Sequence, residues 1–476
     1  MNKLAPPSPE LQRKIDNSKK VRKERKNLDA YHKAYPEHYL DSATLDIIEL
    51  IKPWEFKTII KQKRFKSKNQ LIQSTNSNLE VQEFYAPTSP TPKVLVLCVD
   101  FSDEPATLPL SSIDERFNST ESLSLYRFFS DISLGKHVPR FGVHGWYRMP
   151  QTKAYYANDE YGRGYLGVVT LTTDALNLAA ADSAINWCIF DNDGDTSIDY
   201  ITIITSGYSA ETTGNINDLW SVAYGRKINI PNEYCNGYSI TSNIFMRFSE
   251  YAIHYNPIGV YCHEYAHMLG AHDMYDTTGT TQGAGNWSLM GDGCYLNDGN
   301  TPCNIDAYNK ELIGWATIGT NLTGYNSLSD SFSSDIIYKY TTPSIDEWFL
   351  IENRQQTSWD TYIPGSGLLI WHVTKKCKFY PPSSYSAYLM QADGKNDLGS
   401  NKSNSGDSGD PYPGSTNNRS FNKTSNPSTL YCGSTTNYMN YEIINISDSA
   451  ESIVFNVTSD ITPCLQLTCA LNLSHG

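Results

Sequence analysis

Residues 261–276 read YCHEYAHMLGAHDMYD, and their spacing decides what the surrounding chain has to build. His263 and His267 stand one helical turn apart, so both imidazoles leave the same face of a helix and can reach one metal ion. Glu264 lies beside them, close enough to take a proton from metal-bound water while staying outside the coordination shell. Gly270 falls where the helix should end, because glycine adopts the left-handed conformation without a Cβ clash. The turn delivers Asp273 to the same metal. Two imidazoles and a carboxylate then leave the fourth position of a tetrahedral zinc ion open for water. His272 is the alternative third ligand.

The full spacing, H-E-x-x-H-x-x-G-x-x-(H/D), is similar to that of metzincins, which include Asp-terminated variants, and this favours Asp273. The competing reading is an amphipathic helix whose histidines are satisfied in the core; the spacing weighs against it. Asn256 is placed to cap the helix and Pro257 suits its first position, with Ile258, Tyr261, Cys262, Tyr265 and Leu269 forming a packing face. Downstream, NWSLMGDGC sets Met290 in a glycine-flanked turn. That position suits a methionine turn packed beneath the ligands, although a lone Met in a turn is ordinarily filler.

The chain has 476 residues, enough for two or three domains. Aromatics make up 12% and charged residues only 19%, a surface texture that suits an extracellular protein. The net charge of −13 is uneven, for residues 1–68 hold 17 Lys and Arg against 9 Asp and Glu. A basic leader therefore faces an acidic body, either as a solvated arm or as a pro-segment held by complementary charge. Few aromatics interleave with those basic residues, which argues against nucleic-acid binding. Ten cysteines without C-x-x-C spacing point to disulfides and an oxidising compartment. Cys294 with Cys303, and Cys464 with Cys469, are the pairs close enough to propose, while Cys98 reads as a buried thiol in an apolar strand. No run is long enough to span a membrane, and Met1 to Glu10 lacks the apolar core of a signal peptide. Export information is expected to precede this numbering.

In chain order, basic helical segments are expected around Leu11 to Tyr31 and Ala43 to Lys61, closed by Pro87, Pro90 and Pro92. Val94 to Val99 then reads as a strand buried on both faces, followed by a helix around Glu121 to Ile132 and a strand near Phe141 to Met149. A helix around Thr173 to Ala181 and strands at Tyr200 to Thr205 and Leu219 to Tyr224 complete an α/β order before the metal helix. Leu219 to Tyr224 is a candidate edge strand for an extended peptide; an interior strand is the alternative. In DNDGDTSIDY, Asp191, Asp193, Asp195 and Asp199 resemble the start of a calcium loop, against the reading of an acidic surface turn. Asn304 to Trp315 reads as a capped helix. From Tyr325 the chain turns to short strands, with a long polar loop over 399–428 in which Asp407 and Asp410, near Asp393 and Asp397, are a weaker second calcium candidate.

The ordered stretches VLVLCVDFSD, FFSDISLGK, FDNDGDTSIDYITIITSG, HEYAHMLGAHDMYD, NWSLMGDG, AYNKELIGW, WFLIENRQQ and PGSGLLIWHV resemble the immune inhibitor A family of secreted zinc metallopeptidases. QADGKNDL and GDSGDPYPG extend the likeness to about residue 414. The resemblance implies a zincin-type, metzincin-like α/β (α+β) catalytic domain with a mixed sheet, zinc on His263, His267 and Asp273, Glu264 as base, and structural calcium. It also implies an N-terminal pro-region. The expected organisation is a basic, helical pro-segment or subdomain over 1–92, the catalytic domain over 93–324, a β-rich region over 325–460 and a tail over 461–476. The expected function is a secreted, monomeric endopeptidase acting on proteins or peptides; a secreted adhesin on the same scaffold, or a latent zymogen, are the alternatives.

Overall fold

The computed structural model describes residues 3–4 and 90–459, apart from 236–237, 252–256, 277–280, 321–322, 343–345, 375–385, 401–403, 431–433 and 435–437. The helices expected at 11–31 and 43–61, the Asn256 cap and the Cys464 and Cys469 pair lie outside the described residues.

The two-residue strand β1 is Lys3–Leu4, and β2, Lys93–Asp100, is the centre of the first sheet. Val94 to Val99 are all fully buried, as a continuous apolar run requires. Successive side chains point to opposite faces. Val94, Val96 and Cys98 meet α1 (Leu110–Asn118) and α2 (Leu125–Ile132), while Leu95, Leu97 and Val99 meet α3 (Leu171–Ala179). The result is a three-layer α/β arrangement. The α2 helix begins later than the expected Glu121, because the Ser124 hydroxyl accepts the Arg127 N–H at 3.1 Å and fixes its start.

Parallel to β2 run β3 (Arg140–Arg148) and, on the other side, β5 (Ile201–Tyr208), with the short β4 (Ser197–Ile198) nearby. The strand expected at Leu219 to Tyr224 starts only at Val222, as the first arm of a long hairpin, β6 (Val222–Cys235) and β7 (Tyr238–Tyr251). Leu219 makes just an isolated bridge to Ser209. The order is β1-β6-β7-β5-β2-β3, with β4 beside β7. Within the described residues only β1 flanks β6, pairing antiparallel through Lys3 with Ala223 and Leu4 with Val222.

From β7 the chain enters α4, Gly259–Met268, which is buried all round rather than on one face. Pro257 precedes it instead of opening it. Gly259 is required there, since a Cβ would stand 1.8 Å from the Cys294 carbonyl oxygen. Helix α5 spans Ala307–Ile313 and is capped by Asp306, two residues past the expected Asn304.

The C-terminal strands are β8 (Thr317–Thr320), β9 (Gly324–Ser329), β10 (Ile336–Thr341), β11 (Glu347–Arg354), β12 (Gly367–Thr374), β13 (Ser386–Leu389), β14 (Tyr441–Ile444) and β15 (Ser452–Ser459). They form one sheet, β13-β12-β11-β10-β8, and a second, β14-β15-β9. One face of β11 and β12, carrying Trp348, Leu350, Leu369 and Trp371, shares a core with α2 and α4. The opposite face, with Phe349, Ile351, Leu368 and Ile370, packs on the smaller sheet. Apolar packing is therefore continuous across residue 324.

The Cys294 and Cys303 pairing expected from their separation is not formed; both are buried thiols, as are Cys98 and Cys262. Cys294 Sγ lies 3.5 Å from the Gly291 carbonyl, whereas Cys303 Sγ lies over Gly293, 2.3 Å from where a Cβ would stand. Cys188 is disulfide-bonded.

His137 is enclosed by Phe129, Tyr265 and Trp315, and burial pushes its pKa from 6.5 down to about 3. Protons bind the unfolded chain more readily between those values, so this group's contribution is whole above pH 6.5 and is lost as pH falls toward 3. In metal-free protein, denaturant titrations between pH 7 and 4 should show a shallower acid loss for His137→Gln than for the unaltered chain.

Candidate metal centre

His263 and Glu264 are fully buried on α4, and His267 is 6% exposed. The two imidazole centroids are 4.8 Å apart with rings nearly perpendicular, at 88°. Asp273 Oδ1 stands 3.3 Å from His263 Nε2 and 2.9 Å from His267 Nε2. The three side chains thus converge on one point.

Backbone carbonyls set both rings. His263 Nδ1 is 2.9 Å from the Leu289 carbonyl, and His267 Nδ1 is 2.9 Å from the Ala271 carbonyl. A carbonyl only accepts, so each Nδ1 carries the hydrogen and each Nε2 presents a lone pair toward Asp273. The second carbonyl is supplied by the turn after α4. Gly270 has φ +99°, and the Ala271 N–H returns to the Ala266 carbonyl at 3.0 Å, which brings the Ala271 oxygen under His267. His272 points elsewhere, its Nδ1 lying 3.1 Å from the Tyr308 hydroxyl.

Met290 is fully buried, and its turn is tied to the ligand loop, since the Met274 N–H donates to the Met290 carbonyl at 2.7 Å. The turn's visible contact with the site is the Leu289 carbonyl. Neither that oxygen nor the Ala271 oxygen could be found from residue type, because any amino acid supplies a backbone carbonyl.

Of the four acids expected in the first calcium loop, Asp191, Asp193 and Asp195 can place one oxygen each within 4.8 Å of one another. Asp199 is instead bound by Asn192, through its N–H at 2.8 Å and its side-chain amide at 2.9 Å, and burial raises its pKa to about 6. In the second group, Asp393, Asp397 and Asp407 come together, with Lys395 Nζ 2.8 Å from Asp393. Asp410 instead accepts the Trp287 indole N–H at 2.9 Å, and burial pushes its pKa up to about 7. This loop braces the segment leading into the methionine turn, where the Asn286 N–H donates to the Ser405 carbonyl at 2.7 Å.

Residues 113–322 match the family model described as the immune inhibitor A peptidase M6 catalytic domain. Over those residues the chain is similar to the catalytic domain of the immune inhibitor A, or M6, peptidases. A pre-pro-metalloprotease, PrtV, of Vibrio cholerae serotype O1 is 26% identical over 247 residues, covering 45% of this chain and 25% of that protein. Immune inhibitor A of Bacillus thuringiensis subsp. alesti is 28% identical over 255 residues, covering 46% of this chain and 35% of the relative. The alignments thus span about a third or less of these relatives' length.

At φ +99° an L side chain is strained by roughly 1–2 kcal/mol. Gly270→Ala should lower the unfolding free energy by about that amount, measured by urea titration.

Proposed function

We propose that the chain is a secreted, zinc-dependent endopeptidase that hydrolyses peptide bonds of extracellular proteins. The observation that carries this reading is the meeting of two outward-facing imidazole lone pairs with the Asp273 carboxylate. His263 Nε2 is buried with no hydrogen-bond donor facing it, and two nitrogens and one oxygen are a donor set that suits zinc. His263, His267 and Asp273 would hold the ion. When bound, zinc supplies a Lewis acid for the scissile carbonyl and lowers the pKa of a water molecule. Glu264 would act as the base, taking a proton from the attacking water and passing it to the leaving nitrogen. Its place on α4, next in sequence to a ligand, supports the role.

An extended substrate would add to the β6 edge at Val222 and Ala223, where antiparallel main-chain pairing is already made by Lys3 and Leu4. That occupancy favours a second reading, that the chain is a latent form released by removal of residues 1–92. We further assign Asp191, Asp193 and Asp195 to structural calcium, with Asp393, Asp397 and Asp407 as a second candidate set. The Cys188 disulfide supports an oxidising destination.

Metal analysis of the purified protein should find one zinc per chain, and a zinc chelator should abolish casein cleavage. Glu264→Gln should retain zinc while lowering kcat/KM by about 10²- to 10⁴-fold. Cleavage equal to that of the unaltered chain would defeat the mechanism, and zinc-bound but inactive wild-type protein would instead favour a binding scaffold. For latency, N-terminal sequencing of the active species should show residues 1–92 gone; an active form retaining Met1 would exclude it.

A further inference from the structure

Two separate segments shape the three proposed ligands, and both end on one buried carboxylate. The first is the turn at Ser288 to Met290, whose Leu289 carbonyl orients His263. The Ser288 hydroxyl sits inside this turn, accepting the Met290 N–H at 3.0 Å and donating to Asp306 Oδ2 at 2.6 Å. The second is the loop at Ala271 to Asp273. The Asn309 side chain clamps the residue before the acid ligand on both sides, its Oδ1 accepting the His272 N–H at 2.7 Å and its Nδ2 donating to the His272 carbonyl at 3.1 Å. The same Nδ2 donates to Asp306 Oδ2 at 2.9 Å, while the Asn309 backbone N–H donates to Asp306 Oδ1 at 2.9 Å.

Asp306, Ser288 and Asn309 are fully buried, so water offers none of them a substitute partner. We infer that Asp306 is a positioning residue for the metal centre, acting through Ser288 on His263 and through Asn309 on Asp273. This rests on the zinc reading. An N-cap needs only the Oδ1 bond to Asn309 N–H. The second oxygen serves neither the helix nor the core; it joins the two halves of the ligand set at a fixed separation. Every neighbour named here donates to Asp306, so a carboxylate matches the position and an amide does not. In an Asp306→Asn protein the new NH₂ would face a donor of Asn309 in either orientation, its Nδ2 at the place of Oδ2 or its backbone N–H at the place of Oδ1.

The test measures zinc affinity by competition with a chromophoric chelator, together with the visible absorption bands of the cobalt-loaded protein. Wild type is compared with Asp306→Asn, Ser288→Ala, Asn309→Ala and Ile453→Ala. The last removes a buried side chain from the small C-terminal sheet and controls for general destabilisation. Asp306→Asn should bind zinc about 10- to 100-fold more weakly and shift the cobalt bands. Ser288→Ala and Asn309→Ala should each show a smaller loss, and Ile453→Ala should bind as wild type does. Should Asp306→Asn fail to fold, the two single-arm variants carry the same comparison. Folded variants with wild-type affinity and cobalt spectrum overturn the inference, as does an equal loss in Ile453→Ala. If wild-type protein itself binds no zinc, it is the metal reading that fails.

Discussion

Asp273 Oδ1 lies within 3.3 Å of two imidazole nitrogens, each with its other nitrogen committed to a backbone carbonyl. Three electron-rich atoms held that close, on side chains mostly removed from water, repel unless something positive lies between them. The surrounding structure accordingly concentrates on preventing their escape. Helix α4 is buried on every side, its entry passes within touching distance of the Cys294 carbonyl, and its exit is bent by a glycine that returns the chain beneath His267. Lone pairs held at fixed positions in this way are preorganised.

The carboxylate groups outside that centre fall into two kinds. Asp410 is buried and Asp199 partly buried; both have raised pKa values and accept from nitrogen donors, of Trp287 and Asn192 respectively. The acids at 191, 193 and 195, and at 393, 397 and 407, instead bring one oxygen each near the others, from partly buried or exposed residues, although the Asp393 side chain itself is only 1% exposed. Counting acids along the sequence could not separate these kinds, because a carboxylate that accepts from Asn192 and one that clusters with other carboxylates are the same side chain.

What could be read from the sequence follows from how local each determinant is. The run at 94–99 needed no partner to announce a doubly covered strand, and its two faces do meet helices on opposite sides. Gly270 took the positive φ expected of it, and the histidine spacing brought the rings together. The β6–β7 hairpin was recognised only at its start, for most of 226–244 is polar, includes Pro231 and lacks a sustained alternation. Helix starts missed by two to four residues wherever a serine or aspartate further along captured the free N–H groups, as Ser124 and Asp306 do. Cys294 and Cys303 are close in sequence, but Cys294 Sγ lies against the Gly291 carbonyl and Cys303 Sγ over Gly293, a tertiary arrangement that spacing does not encode.

The wall formed by β11 and β12 bears on how such a chain matures during synthesis. Trp348, Leu350, Leu369 and Trp371 close the same interior that holds Tyr265 and Met290, and Arg354 donates to the carbonyls of Trp287 and Asn304 on either side of the methionine turn. A nascent polypeptide that has reached only the end of α5 already contains His263, His267 and Asp273, yet lacks the β11–β12 wall of the core that α4 shares. The core around α4 is therefore completed only by sequence synthesised after α5.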